Sequence, residues 1–307
     1  MKKIWGTIAM LIATFLWGIA FSAQSRGMDF LDPFVFMTMR SVIGSFALAA
    51  VIMIFDLFRE KRLTVWGSAK DTISRKFLVS GGLWCGVIIT AASTTQQYGM
   101  KFEMSAGKTG FLTALYIIIV PILGIFFKRR TTLLLWISAV IGIIGAYLLC
   151  GGIGNIGKGE MCVIACSFLF SFHILAIDHY AAKCDCVRLS FLQFSVASIL
   201  SGISSVVARE PWILEKIYES LPFWGFCGVG SSAIAFTLQM VSQKYLHPVT
   251  ATLLMSLESV FAVLGGWLFL NEMLSVHELI GCTVIFAAVI LAQIPVKTSK
   301  KIPKKSA

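Results

Sequence analysis

Charged residues are scarce in this chain. Only 13% of its 307 residues are charged, while 57% are hydrophobic. Soluble globular domains carry about 25% charged residues. This composition excludes a set of soluble domains, although the length alone would allow two of them. The net charge of +11 therefore needs an explanation other than a soluble nucleic-acid-binding surface.

Several motifs of nucleotide-driven proteins and hydrolases are also missing. The chain has no phosphate-cradling Gly-x-x-x-x-Gly-Lys-Ser/Thr run, no His-Glu-x-x-His and no Gly-x-Ser-x-Gly. Most of the eight cysteines lie in apolar runs, where a thiol behaves as a small apolar group. Cys184 and Cys186 share a loop, but no second ligand pair has zinc-site spacing. We expect no enzyme activity, no cofactor and no metal site.

Ten long apolar runs fill most of the chain. Each is close to the roughly 20 apolar residues that a helix needs to cross a bilayer, and the connections are short. We therefore predict an all-α integral membrane protein with ten transmembrane helices, and not a cleaved signal peptide before a soluble domain. The predicted spans are 4–23, 34–57, 77–98, 104–127, 132–150, 159–179, 189–207, 223–243, 249–270 and 275–294.

Lysines and arginines lie mostly in alternate loops. If the N-terminus is inside, the inside loops and termini hold most of the 26, including those of 58–76, 128–130 and the tail 295–307. This positive-inside bias predicts a multi-pass protein of the plasma membrane with both termini in the cytoplasm. We expect the basic tail to touch anionic lipid headgroups, with a solvated end as the alternative. No nucleic-acid partner is predicted.

The two halves of the chain are alike. A shift of 153 residues lays Arg40 over Gln193, and a shift of 143 lays Gln96 over Gln239. Because five is odd, two consecutive five-helix units enter the membrane from opposite sides. This predicts the inverted repeat with which many secondary transporters alternate access. The two predicted units are residues 1–150 and 159–294.

Several different short motifs are spread over nearly the whole chain. They are Leu16-Trp17-Gly18-Ile19-Ala20-Phe21, the stretch from Gln97-Tyr98-Gly99-Met100 to Val120-Pro121, Ser171-Phe172-His173-Ile174, and Ala251 to Phe261 with Asn271-Glu272. They resemble motifs of the EamA-type carriers of the drug/metabolite transporter superfamily. The resemblance implies a ten-helix carrier, in a family that moves amino acids, sugars, nucleosides, amines and drugs. Two positions depart from the pattern: Ser259 where Pro is usual, and Glu103 where a Tyr-Thr type pair is common.

Polar side chains inside the spans are the candidates for a substrate site. A charged group at the centre of a bilayer-spanning helix costs about 2.5–3.5 kcal/mol, so it usually faces a partner or a wet cavity. Depth along each span places Arg40 and Gln97 in the outer half, and His173, Gln193 and Glu258 in the inner half. The predicted substrate-binding residues are Trp17, Arg40, Gln97, Tyr116, His173, Gln193 and Glu258.

The two intramembrane cations have alternative explanations. Arg40 and Lys108 would form a cationic mouth that attracts a carboxylate. In the structural alternative Arg40 pairs with Asp29, Asp32 or a helix end, and Lys108 extends outward to the interface.

His173 and Glu258 are the candidates for proton coupling. An imidazole titrates near neutrality, and a carboxyl loads and releases a proton as its surroundings change. The structural alternatives are a hydrogen bond of His173 with Gln193 or a serine of the seventh span, and a pairing of Glu258 with Lys244 or a backbone donor.

Three further features concern helix packing. Gly82 and Gly86 have the spacing that permits close helix contact. Pro121 predicts a kink in the fourth span. For Trp84 we expect packing in the core.

The sequence therefore predicts a secondary transporter of small polar metabolites that alternates access around a central cavity, with amino-acid-like substrates slightly favoured. The alternative is an exporter or importer of cationic amines or drugs, which would use Glu258 and aromatic rings. A distant alternative is an intramembrane enzyme with His173 and Glu258 as an acid/base pair. We expect a monomeric transport unit, because ten helices can enclose a cavity alone, and a dimer stays open.

Overall fold

A computed structural model describes residues 2–60, 72–124, 133–149, 156–246, 251, 254–292 and 294, and in these ranges the regular structure is helical. The predicted cytoplasmic tail 295–307 lies outside the described residues. The helices are α1 (Lys2–Gly27), α2 (Pro33–Glu60), α3 (Thr72–Lys101), α4 (Ala106–Thr113), α5 (Tyr116–Leu123), α6 (Leu133–Leu149), α7 (Lys158–Tyr180), α8 (Cys186–Val207), α9 (Leu214–Glu219), α10 (Leu221–Phe226), a π-helix (Cys227–Ala235), α11 (Phe236–Tyr245), α12 (Leu257–Leu270) and α13 (Val276–Ala292).

Among the described residues, seven helical segments are long and apolar enough to cross a membrane, and three shorter apolar helices accompany them. Each of the ten predicted spans overlaps one of these segments. The all-α membrane architecture is confirmed. The count of ten crossings, the opposite orientation of the units and the cytoplasmic termini stay predictions. The three shorter helices are Trp136–Leu149, Leu257–Leu270 and Val276–Leu291.

Local sequence sets several helix ends. Ser105 Oγ accepts the backbone N–H of Lys108 at 3.2 Å where α4 begins, and Asp185 accepts that of Arg188 at 2.9 Å where α8 begins. These side chains satisfy amide groups that have no partner within the helix. At the far end of α12, Asn271 adopts the left-handed conformation with φ 55°, which asparagine tolerates better than most residues.

The fourth predicted span is interrupted rather than continuous. Helix α4 ends at Thr113 and α5 begins at Tyr116. Between them backbone amides bond the carbonyl three residues back, as Ile117 N does to Ala114 O at 3.0 Å. The interruption precedes Pro121, the residue where a kink is expected. Pro121 itself lies inside α5.

Helices of the two halves interleave. Helix α1 packs on α12, α2 on α8, α3 on α7 and α8, and α6 on α13. Small residues permit the approach of α3 to α8. A Cβ atom on Gly82 would lie 2.5 Å from Leu192 Cβ, and one on Gly86 would lie 2.6 Å from Val196 Cβ. The predicted close helix contact at these two glycines is confirmed.

Trp84 lies outside the core. The residue is 61% exposed, so the expectation of core packing is wrong. Successive helix positions turn by about 100°, and Trp84 therefore points away from the face of Gly82 and Gly86 that meets α8. Its indole is on the surface that a bilayer would cover.

Carboxylates tie α2 to the second half of the chain at both of its ends. Asp56, near the end of α2, accepts Arg188 Nη2 at 2.5 and 2.7 Å. Glu210, which follows α8, accepts the backbone N–H of Phe34 at 3.2 Å and of Val35 at 2.8 Å. The two ties join opposite ends of the helices, so α2 and α8 are antiparallel.

Candidate transport cavity

One cavity lies between the helices of the two halves. It contains about 470 Å³ of space not filled by protein atoms, open solvent at its rim included. Both apolar and polar side chains form its wall. The lining residues are Trp17, Phe21, Gln24, Arg40, Ser93, Gln96, Thr113, Tyr116, Phe170, His173, Ile174, Ser231, Phe236, Gln239, Met255 and Glu258.

Corresponding positions of the two halves line this cavity together. The shifts of 153 and 143 residues relate three pairs of lining residues. Two pairs are apolar or aromatic and the third is a pair of glutamines, so the two halves contribute similar groups at these positions. The pairs are Trp17 with Phe170, Phe21 with Ile174, and Gln96 with Gln239.

Arg40 is a buried cation held by neutral groups. Its Nη1 donates to Gln24 Oε1 at 2.7 Å, Nη2 to Ser231 Oγ at 3.0 Å and Nε to Ser232 Oγ at 3.2 Å. The residue is 3% exposed. A guanidinium has five N–H groups, so three are occupied here and one on each terminal nitrogen is left over.

The acidic partners considered for Arg40 are engaged elsewhere. Asp29 bonds Arg26 at 3.2 Å and Asp32 pairs with Lys101 at 3.3 Å. In the part of the chain that the structure describes, no carboxylate pairs with Arg40. The guanidinium on the cavity wall is therefore not paired with a carboxylate of the described residues.

The π-helix brings the two serines to Arg40. A Cβ atom on Gly228 would lie 2.0 Å from Ile43 Cγ2 and 2.7 Å from Arg40 O, and one on Gly44 would lie 2.9 Å from Gly228 O. Only glycine permits this approach of the π-helix to α2. π-helical turns are rare and are found frequently at functional sites.

Glu258 is a buried carboxyl residue of the cavity wall. Tyr116 Oη donates to Glu258 Oε2 at 2.9 Å, and Glu258 is 8% exposed. The predicted alternative, an ion pair with Lys244, is not formed. Within the described ranges no cation pairs with Glu258. Its hydrogen bond joins α12 to the first residue of α5, directly after the interruption of the fourth span.

His173 is hydrogen-bonded to Gln193 and also lies on the cavity wall. Its Nε2 lies 3.1 Å from Gln193 Oε1, which confirms the predicted hydrogen bond, and the residue also lines the cavity. The rings of Phe170 and Phe236 meet the imidazole edge-on, with centroids 6.4 and 5.7 Å away. Gln193 was predicted to bind substrate, but it contacts His173 and does not line the cavity.

Gln97 and Lys108 are not brought to the cavity. Gln97 is buried but is not a lining residue, and its neighbour Gln96 lines the wall instead, donating Nε2 to Thr113 Oγ1 at 3.1 Å. Lys108 Nζ pairs with Glu160 at 2.7 Å. This lysine therefore neither forms a cationic mouth with Arg40 nor extends freely outward, because a carboxylate of α7 holds it.

Sequence reasoning did not name most residues of the wall as substrate-binding, nor Ser232, which bonds Arg40. Gln24 was placed beyond the first span, but α1 continues to Gly27. Gln239 had a signal, its correspondence to Gln96. The serines had none, because serine is common in these spans and only the π-helix selects them. The missed wall residues are Phe21, Gln24, Ser93, Gln96, Thr113, Phe170, Ile174, Ser231, Phe236, Gln239 and Met255.

The cysteines of the loop between α7 and α8 bond backbone carbonyls. Cys184 Sγ donates to Tyr180 O at 3.3 Å, and Cys186 Sγ to Ala181 O at 3.8 Å. Among the residues that the structure describes, no group of three or more His, Cys, Asp or Glu could hold a metal ion.

Comparison with known proteins identifies the class. A solved structure described only as a crystal structure of a protein matches with a TM-score of 0.65 at 18% identity, covering 94% of this chain and 96% of its own. At this identity the match shows the shared fold. An uncharacterized transporter of Archaeoglobus fulgidus is 25% identical over 302 residues, which are 96% of this chain and 88% of that protein. The uncharacterized transporter YoaV of Bacillus subtilis is 20% identical over 294 residues, covering 92% and 95%.

The fold and these relatives define a multi-span membrane transporter with a non-enzymatic role. The model of the EamA-like transporter family matches the chain twice, at residues 4–151 and 157–293. The chain belongs to this family, which is part of the drug/metabolite transporter superfamily.

Proposed function

We propose that the chain is a secondary transporter of the plasma membrane that carries small polar metabolites with a carboxylate, amino-acid-like substrates being favoured. The observation that carries the proposal is Arg40, a buried cation on the cavity wall whose hydrogen-bond partners among the described residues are all neutral. A substrate carboxylate supplies the missing counter-charge. Arginine suits this role because its two remaining N–H groups match the two oxygens of a carboxylate.

Glu258 supports the amino-acid reading of the substrate. It places a carboxyl group on the same cavity as Arg40, and Tyr116 and Phe170 supply aromatic rings near it. A substrate with a carboxylate and an ammonium group complements both. Buried charges require partners, so a zwitterion satisfies the cavity better than a singly charged molecule.

The transport cycle follows from the proposed inverted repeat. Two five-helix units of opposite orientation, 1–150 and 159–294, would rock against each other around the cavity. The antiparallel contact of α2 with α8 supports this arrangement, since a repeat of the same orientation would make these helices parallel. We propose ten crossings, cytoplasmic termini and a monomeric transport unit.

Proton coupling is a second part of the proposal. Glu258 accepts a hydrogen bond from Tyr116, the first residue after the interruption of the fourth span. A change in the charge of Glu258 would therefore act directly on that helix. His173 is the other titratable residue of the wall. Uptake that responds to a pH gradient in the wild type and not in Glu258→Gln supports coupling. Uptake that ignores the gradient in both proteins removes it.

The competing substrate class is a cationic amine or drug. It is favoured by Glu258, which has no cationic partner in the described ranges, and by the rings of Trp17, Phe170 and Phe236 around the cavity. A cation held by the carboxylate and by ring faces is a common mode of ammonium recognition. In this case Arg40 would be structural.

Ligand-dependent thermal unfolding of the detergent-purified protein separates the two classes. A ligand that binds the folded state stabilises it by about 2.7 kcal/mol at one hundred times its dissociation constant. We expect amino acids to raise the melting temperature of the wild type and of Arg26→Gln. Arg26 is a matched control, because it is an exposed arginine at the end of α1.

The variants decide between the outcomes. We expect Arg40→Gln to lose the amino-acid shift, and Arg40→Lys to weaken binding at least about tenfold, because an ammonium cannot replace the fork of the guanidinium. A shift with amines that survives Arg40→Gln and is lost in Glu258→Gln contradicts the proposed substrate and supports the amine carrier.

A further inference from the structure

Three buried polar atoms of the cavity wall have no hydrogen-bond partner in the part of the chain that the structure describes. They are Trp17 Nε1, Gln239 Oε1 and His173 Nδ1, and all three residues line the cavity. Buried polar groups are nearly always paired, since an unpaired one costs free energy. Three such atoms on one wall indicate that the partner comes from outside the protein.

Trp17 and His173 contact the ring of Phe236, and Gln239 lies on the same helix face as that ring. Trp17 meets Phe236 with ring centroids 4.9 Å apart, and His173 meets the same ring at 5.7 Å. Gln239 follows Phe236 by three residues on α11, so the two share a helix face. We call Trp17, Phe236 and Gln239 the amide subsite.

Gln239 and its counterpart Gln96 have different surroundings. Gln96 Nε2 donates to the hydroxyl of Thr113 at 3.1 Å, whereas Oε1 of Gln239 has no hydrogen-bond partner among the described residues. Both glutamines line the cavity, so Gln239 presents an amide oxygen there that a ligand can bind.

We propose that the amide subsite binds an uncharged polar group of the substrate, a hydroxyl or a carboxamide. Such a group accepts the N–H of Trp17 and donates to Oε1 of Gln239, which no apolar group can do. A charged group would lack a counter-charge at these two residues and would be disfavoured. Gln239 and Trp17 therefore determine specificity, while Arg40 holds the carboxylate.

This inference rests on the proposed function, in which Arg40 binds the carboxylate. With it, the preferred substrates are amino acids with hydroxyl or carboxamide side chains. Their apolar counterparts of the same shape, valine for threonine and leucine for asparagine, bind less tightly. A site built to bond a polar group rejects an analogue without it, since its own buried groups are then unpaired.

The test compares these two ligand pairs in the purified full-length protein by ligand-dependent thermal unfolding. For the wild type we expect threonine to bind at least about tenfold more tightly than valine, and asparagine more tightly than leucine. In Gln239→Met we expect both preferences to fall to within about twofold. Trp17→Phe keeps a ring and removes only the N–H, so it should reduce the preferences in the same direction.

Gln97→Met is the matched control. Like Gln239, Gln97 is a buried glutamine with an amide oxygen that has no hydrogen-bond partner among the described residues. Gln97 belongs to the third predicted span and is not on the cavity wall. We expect this variant to keep the preference for threonine and asparagine. Loss of the preference in Gln97→Met to the same degree as in Gln239→Met would contradict the inference, since the effect would then follow from removing any buried amide.

The remaining outcomes separate this inference from the proposed function. If amino acids bind in an Arg40-dependent way and threonine does not exceed valine, the amide subsite is wrong and the carboxylate site stands. If none of the four amino acids binds, both are wrong. A wild-type preference that survives in both Gln239→Met and Trp17→Phe overturns the assignment of these two residues.

Discussion

At the scale of single residues, the side chains proposed to bind substrate are those that lack a charged or hydrogen-bonding partner among the described residues. Arg40 has three neutral acceptors and no acid among the described residues. Lys108, Lys101 and Arg188, by contrast, all have carboxylate partners. The sequence shows that a cation lies within a span, but its pairing depends on residues far away in the chain. For this reason depth along the helix left two explanations open for each of Arg40 and Lys108, and only the structure shows that Arg40 lines the cavity while Lys108 pairs with Glu160.

Glu210 provides a prediction at this scale. Burial raises the pKa of its carboxyl above the ordinary value of 4.5, although the amides of Val35 and Phe34 favour the charged form. A carboxyl with a raised pKa binds its proton more tightly in the folded than in the unfolded chain. The free energy of unfolding therefore falls as the pH rises from 4.5 through the raised value.

Glu210→Gln should remove this dependence. We expect the melting temperature of the variant, relative to the wild type, to increase as the pH rises above 4.5. Glu219→Gln, at an exposed position, is the control and should run parallel to the wild type. Parallel curves for Glu210→Gln as well would show that this carboxyl does not control stability in that range.

At the scale of elements, two irregular helical segments position side chains of the cavity wall. The interruption between α4 and α5 places Tyr116 on Glu258, and the π-helix places Ser231 and Ser232 on Arg40. The apolar runs predicted where helices occur, because hydropathy summed over about 20 residues decides insertion. They did not predict these irregularities, which depend on contacts with helices of the other half, such as the approach of Gly228 to α2.

Gly228→Ala tests the role of the π-helix. An added Cβ would overlap Ile43 and the backbone of Arg40, so we expect a loss of stability of about 1–3 kcal/mol and weaker amino-acid binding as the serines move from Arg40. Gly225→Ala is the control: its Cβ would meet only Leu221 Cδ1, at 3.9 Å. Thermal unfolding of both variants checks this, and equal stability of the two would contradict the role of the π-helix.

At the scale of the whole molecule, the two family matches and the interleaved helices agree with a protein built from two related units. The sequence predicted the inversion from the odd number of spans and from the charges of the loops. Insertion of both units in opposite senses would place residues of corresponding spans on one cavity, as Gln96 and Gln239 are. What sequence shifts could not predict is which corresponding residues differ in pairing, because pairing depends on the neighbours.

The orientation in the membrane is directly testable. We expect fluorescence from green fluorescent protein fused at either terminus, since it fluoresces in the cytoplasm. Alkaline phosphatase, active only outside, should be active when fused after Arg209 and inactive after Lys183. A fluorescent N-terminal fusion together with an active phosphatase at the C-terminus would mean an odd number of crossings and would contradict the ten-helix inverted repeat.

Transport by purified protein tests the central claim most directly. The protein is reconstituted in sealed liposomes loaded with unlabelled amino acids, and entry of labelled amino acids is followed without nucleotide. We predict exchange of chemically unchanged substrate by the wild type and by Arg26→Gln, and a decrease of at least about tenfold in Arg40→Gln. Exchange that is undiminished in Arg40→Gln, or exchange of amines alone, would contradict the account.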